Sequence, residues 1–508
     1  MKIKLITSMA LLTAMTTFAE KQKQPNIIMI AVDDLNDWIG VFGGHPQAIT
    51  PNMDKLAQKS MVFRNASCAG PVSGPSRSGL LSGFRPSTTG VYGNEHNMLD
   101  YPIPQTHATL PEYFTKNGYI TLSSGKIFHK HNTANGVDHG HWAFDIWEDT
   151  KGQEKINPDK YFNRNKGIVN GKKLENAEYM KGGGADFSFG PTLNGKETMK
   201  DYTTAKWFEG KLQENFDKPF FMSVGISKPH LPFNVPQEYF DRYNLDDIKV
   251  PEYRMDDLDD ILDKDGKKAY QAEPDFLWCK KYDIEKDVVR AYLASITFAD
   301  ECIGVVLDAL AKSKYAENTI VILYGDHGWH LGEKLRYRKA TLWREATQLP
   351  FIVHTPGMKK MQDCYRNVNL LDIYPSLIDL CGLPKKELDG KSFAPLLKKP
   401  TLKWTPTVTT AGKNAHSVIS EEWHYIYGKN QVEELYNIKK DPLEWTNLIN
   451  VKTPEIAAVL KELRAYLPVN DADELKIKRA GDTDKEKVDG DGKPDMTLKA
   501  RRVLGELK

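Results

Sequence analysis

Cysteine is scarce and poorly arranged for cross-linking. The chain of 508 residues carries five. Cys68, Cys279, Cys302, Cys364 and Cys381 are odd in number, widely spaced and without metal-type pairing, which argues against a disulfide scaffold. Cys302 lies in a helical pattern and reads as a small core residue. Cys68 has no His at an activating spacing. An excess of one charge is missing too: 69 Lys and Arg stand against 68 Asp and Glu. No bulk basic field suggests nucleic acid, so any polyanion must be met by a local patch. There is no internal repeat, and the only N-terminal apolar run is too short and too rich in Thr and Ser for a membrane span. What remains is an ordinary folded composition, 40% hydrophobic and 27% charged, long enough for one large domain and a smaller one.

The start of the chain reads as an export signal over residues 1–19. Met1-Lys2-Ile3-Lys4 is basic, Leu5 to Phe18 is apolar, and Thr17-Phe18-Ala19 is a small-residue cleavage site. No Cys follows, so a lipid anchor there is not indicated. The expected location is periplasmic or secreted. Residues 20–398 read as the main domain, 399–470 as a small α+β unit beginning at the linker Pro400–Pro406, and 471–508 as a charged tail.

Asn26 to Val32 is a continuous apolar run, the mark of a strand buried on both faces of a parallel sheet, and it ends in Asp33-Asp34. Thr319 to Tyr324 is a second such run and ends in Gly325-Asp326-His327-Gly328-Trp329. Ligands of open α/β sheets sit beyond the carboxyl ends of strands, and two adjacent carboxylates there repel unless a cation joins them. Taken alone, Asp33-Asp34 reads as a polar turn with an N-cap Asp. Further strands are expected at Gly118–Leu122, Phe220–Ile226, Phe351–His354, Ser417–Tyr427 and Glu433–Ile438. Helices are expected from Thr50, over Leu110–Thr115, Val289–Leu310, Leu371–Cys381 and Pro454–Tyr466. Residues 131–200 read as long loops, with Gly182-Gly183-Gly184 the most flexible point, and 244–285 as an irregular acidic insertion or lid.

The stretch Pro71-Val72-Ser73-Gly74-Pro75-Ser76-Arg77-Ser78-Gly79-Leu80-Leu81-Ser82-Gly83 holds the most specific pattern. Gly74-Pro75 breaks the chain ahead of a short helix, with Pro expected at its first position. Ser73 would then stand near a helix N-terminus, where free N–H groups attract an anion, and Arg77 one turn on would reach the same anion. A Ser-capped helix with a solvent-facing Arg is the bland alternative. Lys126 and His129 in Ser124-Gly125-Lys126-Ile127-Phe128-His129 are close enough to face one site. In Ser227-Lys228-Pro229-His230-Leu231-Pro232-Phe233 two prolines fix the loop that carries His230.

The Ser73 stretch resembles the sulfatase signature, Cys or Ser followed by any residue, Pro-Ser-Arg, three variable residues, Leu, Thr and Gly, with Ser82 in the Thr position. The chain is similar to this branch of the alkaline-phosphatase-like fold from Asn26 through Asp441-Pro442-Leu443-Glu444-Trp445. Gly-Lys-Ile-Phe-His with Lys-Pro-His-Leu-Pro-Phe is most like the iduronate-2-sulfatase and choline-sulfatase branch. The resemblance implies an α/β fold with a large, mostly parallel sheet between helices and a smaller C-terminal α+β subdomain. It implies one calcium held by Asp33, Asp34, Asp326, His327 and residue 73. It implies that Ser73 becomes formylglycine (3-oxoalanine), whose hydrate attacks sulfur and then expels sulfate. Arg77, Lys126 and Lys339 would neutralise the sulfate oxygens, His129 would serve the second hydroxyl and His230 would protonate the leaving oxygen. Lys228 and Trp329 are candidates for substrate binding, although a buried core position is the more ordinary role for Trp329. The expected partners are a sulfated, uronate-containing saccharide and a Ser-type formylglycine-generating maturation enzyme. Ser73 is also compatible with replacement of a Cys. A phosphatase or phosphonate hydrolase on the same scaffold, or a sulfated-glycan binder with unmodified Ser73, are the alternative readings.

Overall fold

A computed structural model describes residues 24–96, 98, 107–129, 143–174 and 186–474. The expected signal at 1–19, the Gly182–Gly184 stretch and the tail beyond residue 474 lie outside the described residues. The main sheet has eight strands: β1 (Asn26–Val32), β2 (Met61–Ser67), β3 (Ile120–Ser124), β4 (Ile146–Glu148), β5 (Phe220–Ile226), β6 (Thr319–Gly325), β7 (Gln348–His354) and β8 (Gln362–Asn369), in the order β8-β2-β7-β6-β1-β5-β3-β4. Only β7 runs against its neighbours β6 and β2; the other pairs are parallel.

β1 shows why the sheet lies in the middle of the molecule. Its successive side chains point to opposite faces, so Ile28, Ile30 and Val32 enter one apolar core while Ile27, Met29 and Ala31 enter the other. The first core is closed by the helix Glu285–Lys312, whose apolar stripe packs on Pro51–Ala57 and Lys200–Lys211. The helix at Pro51–Ala57 begins after Thr50 as expected, but Thr50 does not cap it. Asp300 of the long helix takes that role, accepting from Asn52 N at 3.1 Å and Met53 N at 2.8 Å. A cap supplied 248 residues away satisfies the same orphan N–H groups and ties two helices together.

Three local expectations change. Within 131–200 the described residues include four two-residue strands, Phe162–Asn163, Ile168–Val169, Lys172–Lys173 and Ser188–Phe189, paired in a small sheet. The insertion at 244–285 contains the helix Pro274–Tyr282, whose Phe276, Trp278 and Cys279 are buried. The run expected as one strand over Ser417–Tyr427 is two. Ala415–Ile419 and His424–Tyr427 are separated by a turn in which Ser420 N donates to Trp423 O at 2.8 Å. With Thr407–Gly412 and Glu433–Tyr436 they form an antiparallel four-stranded sheet. The helix Pro454–Arg464 covers it through Ile456 and Leu463, giving a smaller C-terminal subdomain.

Candidate active site

Asp33 and Asp34 leave the end of β1, and Asp326 and His327 leave the end of the adjacent β6. The strands are in register, Val32 beside Gly325, so the two polar pairs meet. Asp34 N donates to Asp326 Oδ1 at 3.0 Å, and Asp34 adopts φ +59°. That left-handed conformation costs a non-glycine residue about 1 kcal/mol or more, and here it turns two successive carboxylates into one centre.

Ser73 opens the helix Ser73–Ser82, with Val72 as the flanking N-cap residue, and all ten residues are buried. Pro75 is therefore the third helical residue and not the first. The Ser73 hydroxyl does not cap its own helix. It donates to Asp33 Oδ1 at 3.1 Å and lies 3.1 Å from His327 Nε2, which sets aside the bland Ser-cap reading. Arg77, one turn on, is 3% exposed and does not face solvent. Its Nε donates to Asp326 Oδ2 at 2.9 Å, Nη2 to Asp33 Oδ1 at 3.1 Å and Nη1 to Ile127 O at 3.1 Å.

Lys126 Nζ pairs with Asp33 Oδ2, and Lys339 Nζ pairs with Asp34 Oδ1 while lying 3.4 Å from Ser73 Oγ. His230 Nε2 lies 3.7 Å from Asp34 Oδ2, with 27% of the side chain exposed. Its Nδ1 is 2.6 Å from Leu231 O, so that nitrogen carries the proton and donates. His129 has a buried Nδ1 without a hydrogen-bond partner among the described residues. Burial pushes the His129 imidazole down to about 3, helped by Lys126. Burial likewise pushes His230 down to about 3, against the pull of Asp33. Burial also raises the Asp34 carboxyl, which Lys339 counters and the Asp33 charge reinforces. Asp33 is desolvated as well, yet Lys126, His230, Arg77 and Lys339 together hold it well below the usual carboxylate range.

Asp33, Asp34, Asp326 and His327 place one ligand atom each within 4.8 Å of one another. Two details fit a cation. Asp34 Oδ2 is buried and accepts no hydrogen bond, which is costly for a carboxylate oxygen unless something positive meets it. His327 Nδ1 lies 2.9 Å from Gly328 O, so Nδ1–H donates there and Nε2 is left with its lone pair facing the carboxylates. Three carboxylate ligands and one imidazole suit a hard divalent ion.

Two expectations for substrate contact do not survive. Trp329 is 2% exposed, and the Lys339 ammonium lies 5.4 Å over its ring. It is a floor beneath Lys339 and is closed to a sugar face. The Lys228 ammonium turns back onto its own loop, to His230 O at 3.4 Å and Pro232 O at 2.5 Å, so it stiffens the His230 loop. Cys68 is fully buried, and desolvation pushes its thiol far up, consistent with an inert core residue.

Four supports surround these residues, of which only Ser76 and Gly125 belong to a recognised sequence pattern. Asp201 accepts from Ser227 N at 2.9 Å and Lys228 N at 2.7 Å, clamping the root of the His230 loop. In sequence it is only an acidic residue in a helix first turn. Asn94 Oδ1 accepts from Gly74 N at 2.7 Å, and Ser76 Oγ donates to Asp326 O. Gly125, with φ +76°, and Gly225 let two backbones touch. A Cβ on Gly225 would sit 2.2 Å from Lys126 N, and one on Gly125 would sit 1.9 Å from Gly225 O.

A mostly parallel sheet between helices, with an Asp-Asp and an Asp-His pair at two adjacent strand ends around a helix-borne Ser, is the architecture of the alkaline-phosphatase-like hydrolases. The Sulfatase family profile matches residues 25–383, and the profile of the N-sulphoglucosamine sulphohydrolase C-terminal region matches 325–472. The chain belongs to the sulfatase family, and its activity is that of a sulfuric ester hydrolase. A sulfatase of Formosa agariphila is 35% identical over 88% of this chain and 87% of its own. The iduronate 2-sulfatase of Mus musculus is 28% identical over 71% of this chain and 69% of its own. The structure of a phosphonate monoester hydrolase from Silicibacter pomeroyi superposes with a TM-score of 0.68 at 17% identity, covering 87% of this chain and 94% of that one. That likeness concerns the fold alone.

Proposed function

We propose that this sulfatase is exported, uses calcium and a formylglycine made from Ser73, and removes sulfate from a uronate-containing saccharide. The observation that carries the reading is the Ser73 hydroxyl held between Asp33 and His327, with Lys339 3.4 Å away. The saccharide class rests on the likeness to iduronate 2-sulfatase and on the export signal expected at residues 1–19.

Calcium fits the donor set of Asp33, Asp34, Asp326, His327 and residue 73, and would favour the ionised form of a hydroxyl at residue 73. Conversion of Ser73 removes two hydrogens to the acceptor of a Ser-type maturation enzyme; the hydrated aldehyde then offers one oxygen to sulfur and a second for expelling sulfate. The chain's own groups do the rest. Among these residues Arg77, Lys126 and Lys339 balance Asp33, Asp34 and Asp326 one for one, so a divalent cation leaves the centre positive and ready for an anionic sulfate ester. The three basic side chains neutralise charge on the sulfate oxygens as the S–O bond breaks. His230 protonates the departing alcohol oxygen. In the structure its Nε2 is unprotonated, so it must first gain a proton, which the incoming sulfate anion favours. His129, neutral at working pH, accepts the proton of the second hydroxyl at residue 73.

Peptide mass spectrometry of protein from the native host tests the reading. Loss of two hydrogens at Ser73, together with sulfate release from 2-O-sulfated uronate saccharides, is the expected result. An active enzyme with wholly unmodified Ser73 rejects the mechanism. Faster turnover of phosphate or phosphonate esters than of sulfate esters rejects the substrate class.

A further inference from the structure

A cavity of about 1060 Å³ contains none of the residues assigned to the chemistry. It nevertheless shares a floor with the reaction centre. Pro71 and Val72 line it immediately before Ser73, and Ala340 lines it immediately after Lys339. These segments are joined by the hydrogen bond from Ala340 N to Pro71 O at 2.9 Å. Its far wall is the C-terminal sheet, through the hairpin loop at 412–414 and the loop at 428–431.

The lining has the chemistry of a sugar site and not of an apolar ligand site. Tyr270 offers a half-buried aromatic face, Asn94 and Gln431 offer amides, and Arg336, Lys413 and Lys429 stand against Glu95, Glu434 and Glu474, so the wall is polar without an excess of either charge. Arg336 is 9% exposed; its Nη1 lies 3.2 Å from Glu273, while its Nε is buried without a partner. A second, independent feature marks the same place. Of the non-glycine residues held at positive φ, Ala340, Asn414, Asn430 and Gln431 all line this cavity. Such conformations persist only where the surroundings over-determine them, and they concentrate at ligand clamps.

We infer that this cavity is a subsite for the saccharide unit next to the sulfated one, so that the enzyme selects oligosaccharides over sulfated monosaccharides. The inference rests on the sulfatase reading. The sulfated ring lies over residue 73, and the chain continues across Val72 and Ala340 onto Tyr270, with Lys429 at the rim. A cavity with an aromatic face and a few convergent polar groups of both signs suits such a ring.

The test compares kcat/KM for a sulfated monosaccharide, size-fractionated heparin and ulvan oligosaccharides, and 4-nitrophenyl sulfate. In the natural protein the best oligosaccharide should exceed its monosaccharide by tenfold or more. Lys429→Trp, an exposed rim position, should lower the ratio of oligosaccharide to aryl-sulfate kcat/KM at least tenfold, and Lys429→Ala should lower it less. Calorimetry with full-length Ser73→Ala should show oligosaccharide binding that the added Lys429→Trp weakens tenfold or more. Equal kcat/KM for mono- and oligosaccharide, or an unchanged ratio and unchanged binding in the Trp variant, overturns the subsite while leaving the sulfatase reading intact. Failure to release sulfate from every sulfate ester would instead overturn the reading beneath it.

Discussion

His230 is where a single side chain separates two kinds of substrate. A sugar alkoxide is a poor leaving group and needs a proton as the S–O bond breaks, whereas an aryl sulfate leaves as a phenoxide and needs much less help. General-acid assistance is worth roughly 10²–10⁴-fold. His230→Ala should therefore lose about that factor in kcat on sugar sulfates and far less on 4-nitrophenyl sulfate. An equal loss on both would mean that the ring only binds substrate. The carboxylates make a different prediction. Asp34 and Asp326 are buried around an unpartnered Asp34 Oδ2, so removing a bound cation leaves like charges facing each other. Chelation should abolish turnover and lower the melting temperature, and calcium should restore both. Asp326→Ala also strips Arg77 Nε of its acceptor and should be inactive even with excess calcium. Full activity in metal-free protein would contradict the proposed centre.

At the level of elements, the positions of Lys126 and His129 depend on a backbone contact and not on a side chain. The turn after β3 crosses the end of β5 so closely that Gly225 has no room for a Cβ beside Lys126 N and Gly125 has none beside Gly225 O. Gly225→Ala must push the Lys126 turn away. Overpacking of this kind costs about 1–3 kcal/mol, and kcat/KM should fall at least tenfold through the displaced Lys126. Thermal denaturation and sulfate-release kinetics on the same variant measure both effects; unchanged kinetics would show that the turn is free to shift without consequence. This contact also illustrates what could be read beforehand. The apolar runs of β1, β5 and β6 and the polar pairs that end them were legible, because a strand buried on both faces leaves no other pattern. β2 and β8 were not. Met61–Ser67 changes from apolar to polar midway, and Gln362–Asn369 is an edge strand with exposed Tyr365 and no apolar run. Placing Lys126, His129 and Lys339 at the centre came from resemblance, since their positions depend on tight turns between distant segments. Of the two readings open for Trp329 the core one holds, because neighbouring a metal-type pair in sequence says nothing about which side of the backbone faces solvent.

Across the whole molecule, the C-terminal sheet holds the segment that delivers Lys339. That segment is under backbone strain, with positive φ at Lys334, Leu335, Arg338 and Ala340. Four hydrogen bonds from three side chains or amides fasten it. Lys334 Nζ reaches Asp257 Oδ1 at 2.9 Å and Glu444 O, Trp343 Nε1 donates to Glu434 Oε2 at 2.7 Å, and Arg344 N donates to Glu444 Oε2 at 3.1 Å. Glu444 is itself buried and meets His424 Nδ1 at 2.5 Å through Oε1. Removing one partner of a buried pair costs roughly 3–5 kcal/mol. Glu444→Ala should fall within that range. It should also slow sulfate release, as the Lys339 segment relaxes. The pH dependence follows from the Glu444 carboxyl: burial raises it, but His424, Arg344 and Lys334 outweigh burial and hold it below its ordinary value. A depressed carboxyl contributes stability that is fully present above the unfolded value of about 4.3 and is lost as pH falls towards the folded value. The melting-temperature gap between the natural protein and Glu444→Gln should therefore be widest above about pH 4.3 and narrow steadily below it. A gap that stays constant from neutral to acidic pH would mean that Glu444 acts by shape alone, and the sheet would then hold the Lys339 segment without help from its charge.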